Sequence, residues 1–307
     1  MDTKTDDAVR LAARSYVEQL AAASGGIVSW QDLQQFAFRG ARLPLIGQTG
    51  IRKPKGFDAA LTIMTTFSRD ENSRPYYDEV GPDGYQRYKW RGTDPLHSDN
   101  RSLRNAMENA KPLIWFFAID TGQYVPVMPV YLLAEEADER QFVLAFTDLM
   151  REQWDLASEV TMSPPDLAIR REYAVVTTRQ RLHQPVFRQR VLRAYGSVCA
   201  VCRLRHVELL EAAHIREDSR GGEPTVPNGV SMCVLHHRAF DKNVIGIHPR
   251  TLSIETRPSI LEEQDGPTLK HAIQGVNGTL LIKPRRSEHA PDASLLEERY
   301  EAFVAAS

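Results

Sequence analysis

The chain has 307 residues, of which 42% are hydrophobic and 25% are charged, and its formal net charge is -2. This composition predicts a packed globular protein, and the length favours two domains over one. It excludes a uniformly basic nucleic-acid-binding surface, but not local basic patches. Three cysteines cannot build a disulfide framework, no apolar run is long enough to cross a membrane, and the acidic residues 1–7 do not resemble a signal peptide, so we expect a cytoplasmic protein.

The first elements in chain order are two helices. Apolar residues at helical spacing predict a helix within residues 1–24 that ends at Gly25-Gly26. A second, shorter helix is predicted to begin at Ser29, because Asp32 follows three residues later as in a capping box.

From residue 25 to about 150 the apolar runs are short and are separated by glycine and proline, which predicts a mainly β domain. The predicted strands cover residues 59–67, 86–90, 113–119, 126–133 and 141–146. Ser98 and Asp99 are placed to cap a helix over residues 101–110.

Beyond this region the charge changes sign along the chain. Residues 134–172 are acidic and are interrupted by Pro164-Pro165, so we expect a solvated linker with some helix over 151–184. Residues 173–207 contain arginine but no acid. Helices are predicted over 186–195, near His237 and over 293–305.

Four metal-ligand side chains form two closely spaced pairs, Cys199-x2-Cys202 and Cys233-x2-His236. Such pairs can close a tetrahedral zinc site, because each short turn brings two ligands to one ion. The set uses every cysteine of the chain. The alternatives are that the cysteines are buried without metal and that His237 competes with His236 as the fourth ligand.

The same stretch contains Glu-Ala-Ala-His ending at His214, then Asn228-Gly, then His-His-Arg-Ala-Phe-Asp ending at Asp241. In this order and spacing it resembles the HNH family of nucleases, which have a ββα-metal fold. The resemblance implies that His214 is the general base and that Asn228 holds the loop that orients it. It also implies that His237 binds a catalytic divalent cation (Mg2+, Mn2+ or Co2+). Asp241, one helical turn later, is a second candidate ligand.

These residue types suit phosphodiester hydrolysis. An imidazole with a pKa near ~6.5 can accept a proton from water at neutral pH, and a metal beside the phosphate stabilises the leaving 3′ oxygen. One position departs from the family, because many members place Asp or His directly before the base as a ligand, and this chain has Ala213. Either Asp241 and the phosphate complete the metal shell, or metal binding is weak. The ordered set disfavours the alternative that both histidines are ordinary core residues.

Aromatic and acidic residues also cluster between positions 75 and 103. The chain has Pro-Tyr-Tyr-Asp-Glu-Val ending at Val80, a Gly-Pro-Asp-Gly turn, Tyr88-Lys-Trp-Arg-Gly, and Asn-Arg-Ser-Leu ending at Leu103. Between residue 50 and about 131, this pattern resembles the SRA domain, a β-barrel-like module that flips modified cytosine out of the duplex.

The resemblance implies a modified-base pocket. Tyr76 and Trp90 would stack on the two faces of the flipped base, and Asp78 or Glu79 would accept a hydrogen bond from its amino group. The chain departs from the family in having Trp90 where tyrosine is more common, and in an extra residue in the glycine turn. The alternative is that the aromatic residues of this segment belong to a barrel core.

Two basic groups are candidate contacts to the DNA backbone. Arg52, Lys53 and Lys55 lie in an acid-free stretch, residues 33–57, and Arg188 and Arg190 lie beside the nuclease motif. A solvated loop or helix face is the alternative for each group.

Together these patterns predict an α+β protein with an N-terminal helix (1–24), an SRA-like β-barrel domain with helices (25–150), a linker (151–184) and an HNH endonuclease domain (185–307). We expect a bacterial restriction enzyme that recognises 5-methylcytosine or 5-hydroxymethylcytosine in double-stranded DNA. Because cutting both strands needs two active sites, we also expect a homodimer. The alternatives are a modified-DNA-binding protein with an inactive HNH domain and an HNH nuclease that recognises another DNA feature.

Overall fold

The computed structural model describes residues 3–65, 80–159 and 164–306. The chain divides into two compact units, Met1–Val186 and Phe187–Ser307, each with its own apolar core. No helix within the described ranges is both long enough and apolar enough to cross a bilayer.

The first unit is a mixed α+β structure around one sheet that curls into half a barrel. Among the described residues, the strands of this sheet are β1 (Val28–Ser29), β4 (Ile51–Arg52), β5 (Thr62–Met64), β6 (Gln86–Lys89), β7 (Leu113–Asp120), β8 (Gln123–Glu136) and β9 (Gln141–Ala145). Two short strands, β2 (Ala37–Phe38) and β3 (Ala41–Arg42), pair separately. The helices are α1 (Thr3–Ala23), α2 (Trp30–Gln34), α3 (Ser98–Glu108), α4 (Asp148–Glu159) and α5 (Pro164–Thr178).

The long strand β8 causes the sheet to curl. Its first half pairs with β7 and its second half pairs with β9, and the register shifts between Leu132 and Ala134. Such a bulge bends the strand and increases its twist. The strand order is β4-β5-β7-β8-β9-β6, with β5 and β7 parallel and the other pairs antiparallel.

The predicted β domain is confirmed at the level of its elements. Each of the five predicted strands overlaps an observed strand, and the predicted helix over 101–110 is observed as α3. Ser29 caps α2 as expected, since its hydroxyl oxygen accepts from the Asp32 amide at 3.1 Å and its O–H donates to the Asp32 carboxylate at 2.6 Å. The first helix packs Val9, Ala13 and Val17 against the sheet core.

The segment 151–184 differs from the solvated linker expected after the acidic stretch 134–172. It forms most of α4, then α5, then a π-helical turn over Arg179–His183. Ala174 and Leu182 are buried in the core of the first unit, and the Thr178 hydroxyl donates to the Gly84 carbonyl at 3.2 Å. Acidic residues on one face of a helix do not prevent the opposite face from packing.

The second unit is built on two β-hairpins and the helices around them. Its strands are β10 (Leu210–His214), β11 (Gly229–Cys233), β12 (Ile245–Ile247) and β13 (Ile254–Thr256). Its helices are α6 (Gln184–Ala194), which starts just before the unit boundary, α7 (Val234–Asp241), α8 (Pro258–Leu261) and α9 (Ala293–Ala305). The predicted closing helix is therefore confirmed with its bounds.

Gly229 allows α6 to pack closely on the first hairpin. It begins β11 and lies opposite His214 in the antiparallel register. A Cβ at this position would lie 2.4 Å from Cγ2 of Val191 and 2.9 Å from Cζ of Phe187. The φ of Gly229 is -130°, which any residue adopts, so the constraint is the space and not the backbone conformation.

We therefore predict that Gly229→Ala destabilises the second unit by about 1–3 kcal/mol, the usual cost of overpacking a core. Chemical denaturation monitored by circular dichroism measures this change. Gly266→Ala is the matched control, because nothing lies within 4 Å of a Cβ at that position. Equal stability of the two variants would contradict the packing argument.

Candidate functional site

Four side chains of the second unit gather as a candidate metal cluster. The ligand atoms of Cys199, Cys202, Cys233 and His236 all lie within 4.8 Å of one another. The Cys202 and Cys233 sulfurs are 3.9 Å apart, and Nδ1 of His236 is 3.7 Å from the Cys199 sulfur and 3.1 Å from that of Cys233. Zinc–sulfur bonds of about 2.3 Å place tetrahedral ligands roughly 3.8 Å apart, so this donor set fits zinc.

The surroundings of His236 also fit a structural zinc site. Its Nε2 lies 2.7 Å from the Ala272 carbonyl oxygen, which cannot donate, so Nε2 carries the proton and Nδ1 is left to bind the metal. Hydrogen bonds from Cys202 and Cys233 hold the pKa of the Cys199 thiol far below its ordinary value. Cys199 is therefore held as a thiolate, the form that binds zinc, while hydrogen bonds with Cys199 and Cys233 raise the pKa of the Cys202 thiol. His237 does not compete for this position, because Glu211 and Asp241 face its two ring nitrogens.

His214 ends β10, and its half-buried ring stacks on Phe187 with the centroids 4.1 Å apart. Its strand partner is Gly229, directly after Asn228. The Asn228 amide is buried and binds the backbone that follows His214. Its Oδ1 accepts from the Arg216 amide at 2.8 Å, and its Nδ2 donates to the carbonyls of Arg216 and Glu223 at 3.1 and 2.9 Å.

The loop after His214 is restrained from two further sides. A Cβ on Gly222 would lie 2.0 Å from the Arg216 carbonyl oxygen, so a larger residue there would force the loop open. The Arg216 side chain pairs with Glu298 of α9. These contacts fix the path of the chain between β10 and β11 and so restrain the strand end that carries His214.

His237 lies on α7 with a carboxylate on each side of its ring. Its Nδ1 is 2.6 Å from Oε2 of Glu211 on β10, and its Nε2 is 3.5 Å from Oδ2 of Asp241 one helical turn on. The pairing of His237 with Asp241 was predicted, whereas Glu211 was not singled out. The available signal was its position three residues before His214, in the Glu-Ala-Ala-His motif. An imidazole nitrogen and a carboxylate oxygen form a donor pair that suits a divalent cation.

The structure describes only one of the residues predicted to form a modified-base pocket, Trp90. Tyr76, Asp78 and Glu79 lie outside the described residues. Trp90 is 6% exposed and belongs to the apolar core, and the Arg104 guanidinium lies over its ring at 5.3 Å. Both observations favour the alternative that Trp90 is a core aromatic, because the ring is buried and Arg104 covers one of its faces.

Trp90 also borders a cavity of about 1110 Å³ between the end of β6 and the β8–β9 turn. Two acidic side chains that reach it from β8 are already paired. Glu135 forms two hydrogen bonds with Arg104, and Glu136 forms two with Arg87. The hydrogen bonds from Arg87 lower the pKa of Glu136. These ion pairs leave the cavity wall less acidic than its composition indicates.

The basic side chains proposed to contact DNA differ in exposure and in the hydrogen bonds that they make within the protein. Lys53 and Lys55 are exposed, and the Lys53 ammonium donates to the Phe57 carbonyl at 3.2 Å. Arg52 is half-buried and its guanidinium donates to the Pro44 carbonyl at 3.1 Å.

Arg188 and Arg190 of α6 are both half-buried. The Arg188 guanidinium donates to the carbonyls of Val207 and Leu210, at the start of β10. Burial lowers its pKa, and the nearby Glu211 carboxylate opposes that effect. In this structure Arg188 therefore holds the strand that leads to His214.

Residues 199–248 match a protein-family model described as HNH_2, HNH endonuclease. This range includes His214, Asn228, His237 and the Cys3His cluster. The second unit therefore carries an HNH endonuclease domain, and nuclease activity, a form of phosphodiester hydrolysis, is the activity of that family.

Two solved structures are similar to this chain. One is described as the modification dependent TagI restriction endonuclease, with a TM-score of 0.29, 17% identity, and coverage of 83% of this chain and 85% of the other. The other is described as the type IV phosphorothioation-dependent restriction endonuclease ScoMcrA, with a TM-score of 0.25, 11% identity, and coverage of 82% and 59%. At these TM-scores neither similarity carries an argument about the chemistry. Comparison with curated proteins gave no significant match.

We predict that purified protein holds about one zinc ion per chain and that Cys202→Ser loses it and unfolds the second unit, because structural zinc contributes directly to folding. Elemental analysis and thermal melts test both points. Cys202 is the exposed cysteine of the cluster. A thiol reagent should therefore modify it only after a chelator is added. The prediction would be contradicted by a protein that is folded without zinc and whose Cys202 reacts rapidly with the thiol reagent.

Proposed function

We propose that the protein is a modification-dependent DNA endonuclease. In this proposal the first unit recognises 5-methylcytosine or 5-hydroxymethylcytosine in double-stranded DNA, and the HNH domain hydrolyses a nearby phosphodiester bond. The observation that carries the hydrolytic part is the placement of His214 at the end of β10, stacked on Phe187 and followed by a loop that Asn228 holds.

The chain supplies a general base and a means of orienting it. His214 would accept the proton of the attacking water, and its contact with Phe187 limits the directions in which the imidazole can turn. His237 and Asp241 would hold Mg2+, Mn2+ or Co2+. When bound, such an ion stabilises the charge on the phosphate and on the leaving 3′ oxygen.

The recognition part rests on the resemblance of residues 75–103 to SRA domains and on the cavity beside Trp90. An extruded base needs a concave site, and the energy lost on unstacking must be offset by contacts inside it. A phosphodiester bond cleaved by the other unit would lie some base pairs from the flipped base. Because both strands must be cut, the proposed active form is a homodimer.

One observation favours a second candidate function, a modified-DNA-binding protein with an inactive HNH domain. Ala213 supplies no ligand where many HNH nucleases have one. Incubation of methylated and unmethylated plasmid with Mg2+, Mn2+ or Co2+ separates the candidates. Cleavage of methylated plasmid alone supports the proposal, binding without cleavage supports the second function, and equal cleavage of both plasmids indicates recognition of another DNA feature.

We predict that His214→Ala lowers the cleavage rate by about 10²–10⁴-fold, the usual contribution of a general base, while the affinity for DNA changes little. Nicking assays and binding isotherms measure the two effects. His206→Ala is the control, because its side chain is 68% exposed and lies in the same unit. Full activity of His214→Ala would exclude it as the base.

If the face of Trp90 opposite Arg104 stacks on the flipped base, we predict that Trp90→Ala weakens binding to methylated DNA by about one to two powers of ten, because stacking contributes ~1–3 kcal/mol per base. Binding to unmodified DNA should change little, since phosphate contacts dominate that affinity. Replacing Lys53 and Lys55 should instead lower both affinities and weaken their salt dependence.

Melting curves on the same variants test the alternative role of Trp90. If Trp90 is only a core residue, Trp90→Ala lowers the melting temperature and both DNA affinities fall in proportion to the unfolded fraction. A folded Trp90→Ala protein that keeps its preference for methylated DNA would remove Trp90 from the proposed pocket.

A further inference from the structure

We propose that Glu211 is the positioning residue of the catalytic metal site: it accepts the Nδ1–H of His237 and so leaves Nε2 free to bind the divalent cation together with Asp241. This inference rests on the proposed function, because it assigns a role within the same nuclease site.

The first observation is the contact between Glu211 and His237. Oε2 of Glu211 lies 2.6 Å from Nδ1 of His237, which is within the range of a strong charge-assisted hydrogen bond. An ionised carboxylate has no proton to give, so Nδ1 must be the donor. A neutral imidazole with its proton on Nδ1 has its lone pair on Nε2. The contact therefore selects the nitrogen that can coordinate a metal.

The second observation concerns the other nitrogen. Nε2 of His237 lies 3.5 Å from Oδ2 of Asp241. That separation is long for a hydrogen bond, whose usual donor–acceptor distance is about 2.9 Å. It is close to the separation of two ligands of one ion, because bonds of about 2.1 Å place neighbouring ligands roughly 3.0–3.4 Å apart.

The third observation is the geometry of β10. Side chains two positions apart on a strand lie on the same face, so Glu211 and Ala213 share a face of the hairpin. Ala213 occupies the position directly before His214 and has no group that could reach a metal. We infer that the strand acts on the metal site through Glu211, which reaches His237 across the gap between β10 and α7.

The fourth observation is that β10 is held in place while the site formed by Glu211, His237 and Asp241 is open to solvent. The Arg188 guanidinium binds the carbonyl of Leu210, the residue before Glu211, at 2.8 and 3.0 Å, which fixes the start of the strand. The side chains of Glu211, His237 and Asp241 are 46%, 22% and 30% exposed. A metal held here keeps positions open to water and phosphate, as a catalytic site requires.

The experiment measures Mn2+ affinity on the full-length, zinc-replete protein by electron paramagnetic resonance titration. Glu211→Ala should weaken Mn2+ binding by about 10–100-fold, the usual cost of losing an outer carboxylate. Glu211→Gln should weaken it less, because its amide oxygen still accepts from Nδ1–H. Glu208→Gln is the matched control, since that carboxylate is 75% exposed and lies 3.7 Å from the imidazole of His206, away from His237 and Asp241 in the sequence.

One further variant makes the outcome decisive. Asp241→Asn should also weaken Mn2+ binding, which identifies the titrated site as the one that His237 and Asp241 form. If Glu211→Ala is folded, retains its zinc and binds Mn2+ as tightly as the wild type, the inference is overturned, and Glu211 is an ion-pair partner of α7 only. Mn2+ binding that depends on Glu211 and Asp241, in a protein that cuts no DNA, would support the inference while refuting the proposed nuclease.

Discussion

The Cys3His cluster is the constraint on which the nuclease-like part of the structure depends. Cys233 ends β11 and is also the residue directly before α7, and His236 lies in the first turn of that helix. The pair therefore determines how α7 leaves the hairpin, and Cys199 and Cys202 tie this corner to the turn after α6. Because His237 directly follows His236, the same cluster sets the distance from His237 to Glu211 on β10.

The second unit thus contains two candidate metal sites of opposite character. The Cys3His cluster is largely buried and offers soft donors, which suits a permanently held zinc ion. The His237–Asp241 pair offers a harder donor set on a partly exposed face, which suits a cation that exchanges ligands with water and phosphate. In the proposed function, the zinc ion would stabilise the fold and the second cation would take part in hydrolysis.

In the first unit, ion pairs and aromatic packing act together around the cavity. Arg87 links Asp83 to Glu136, and Arg104 links Glu135 to the face of Trp90. These arginines neutralise acidic residues that line the cavity. Arg104 also covers one face of Trp90, so a base that stacked on this indole would have to use the opposite face or displace Arg104.

The sequence by itself determined the local elements and the candidate metal-binding cluster of the second unit. Ser29 and Asp32 specified a helix start, the apolar run 113–119 specified a buried strand, and the Cys-x2-Cys and Cys-x2-His pairs specified a zinc-type cluster, because each depends on neighbours in the chain. Only the tertiary structure decided the partner of His237, since Glu211 lies on a different element and its contact depends on how α7 packs against β10. The burial of Ala174 and the contact of Arg104 with the face of Trp90 were not predictable either. Both depend on long-range packing, which determines which face of a helix or ring is buried.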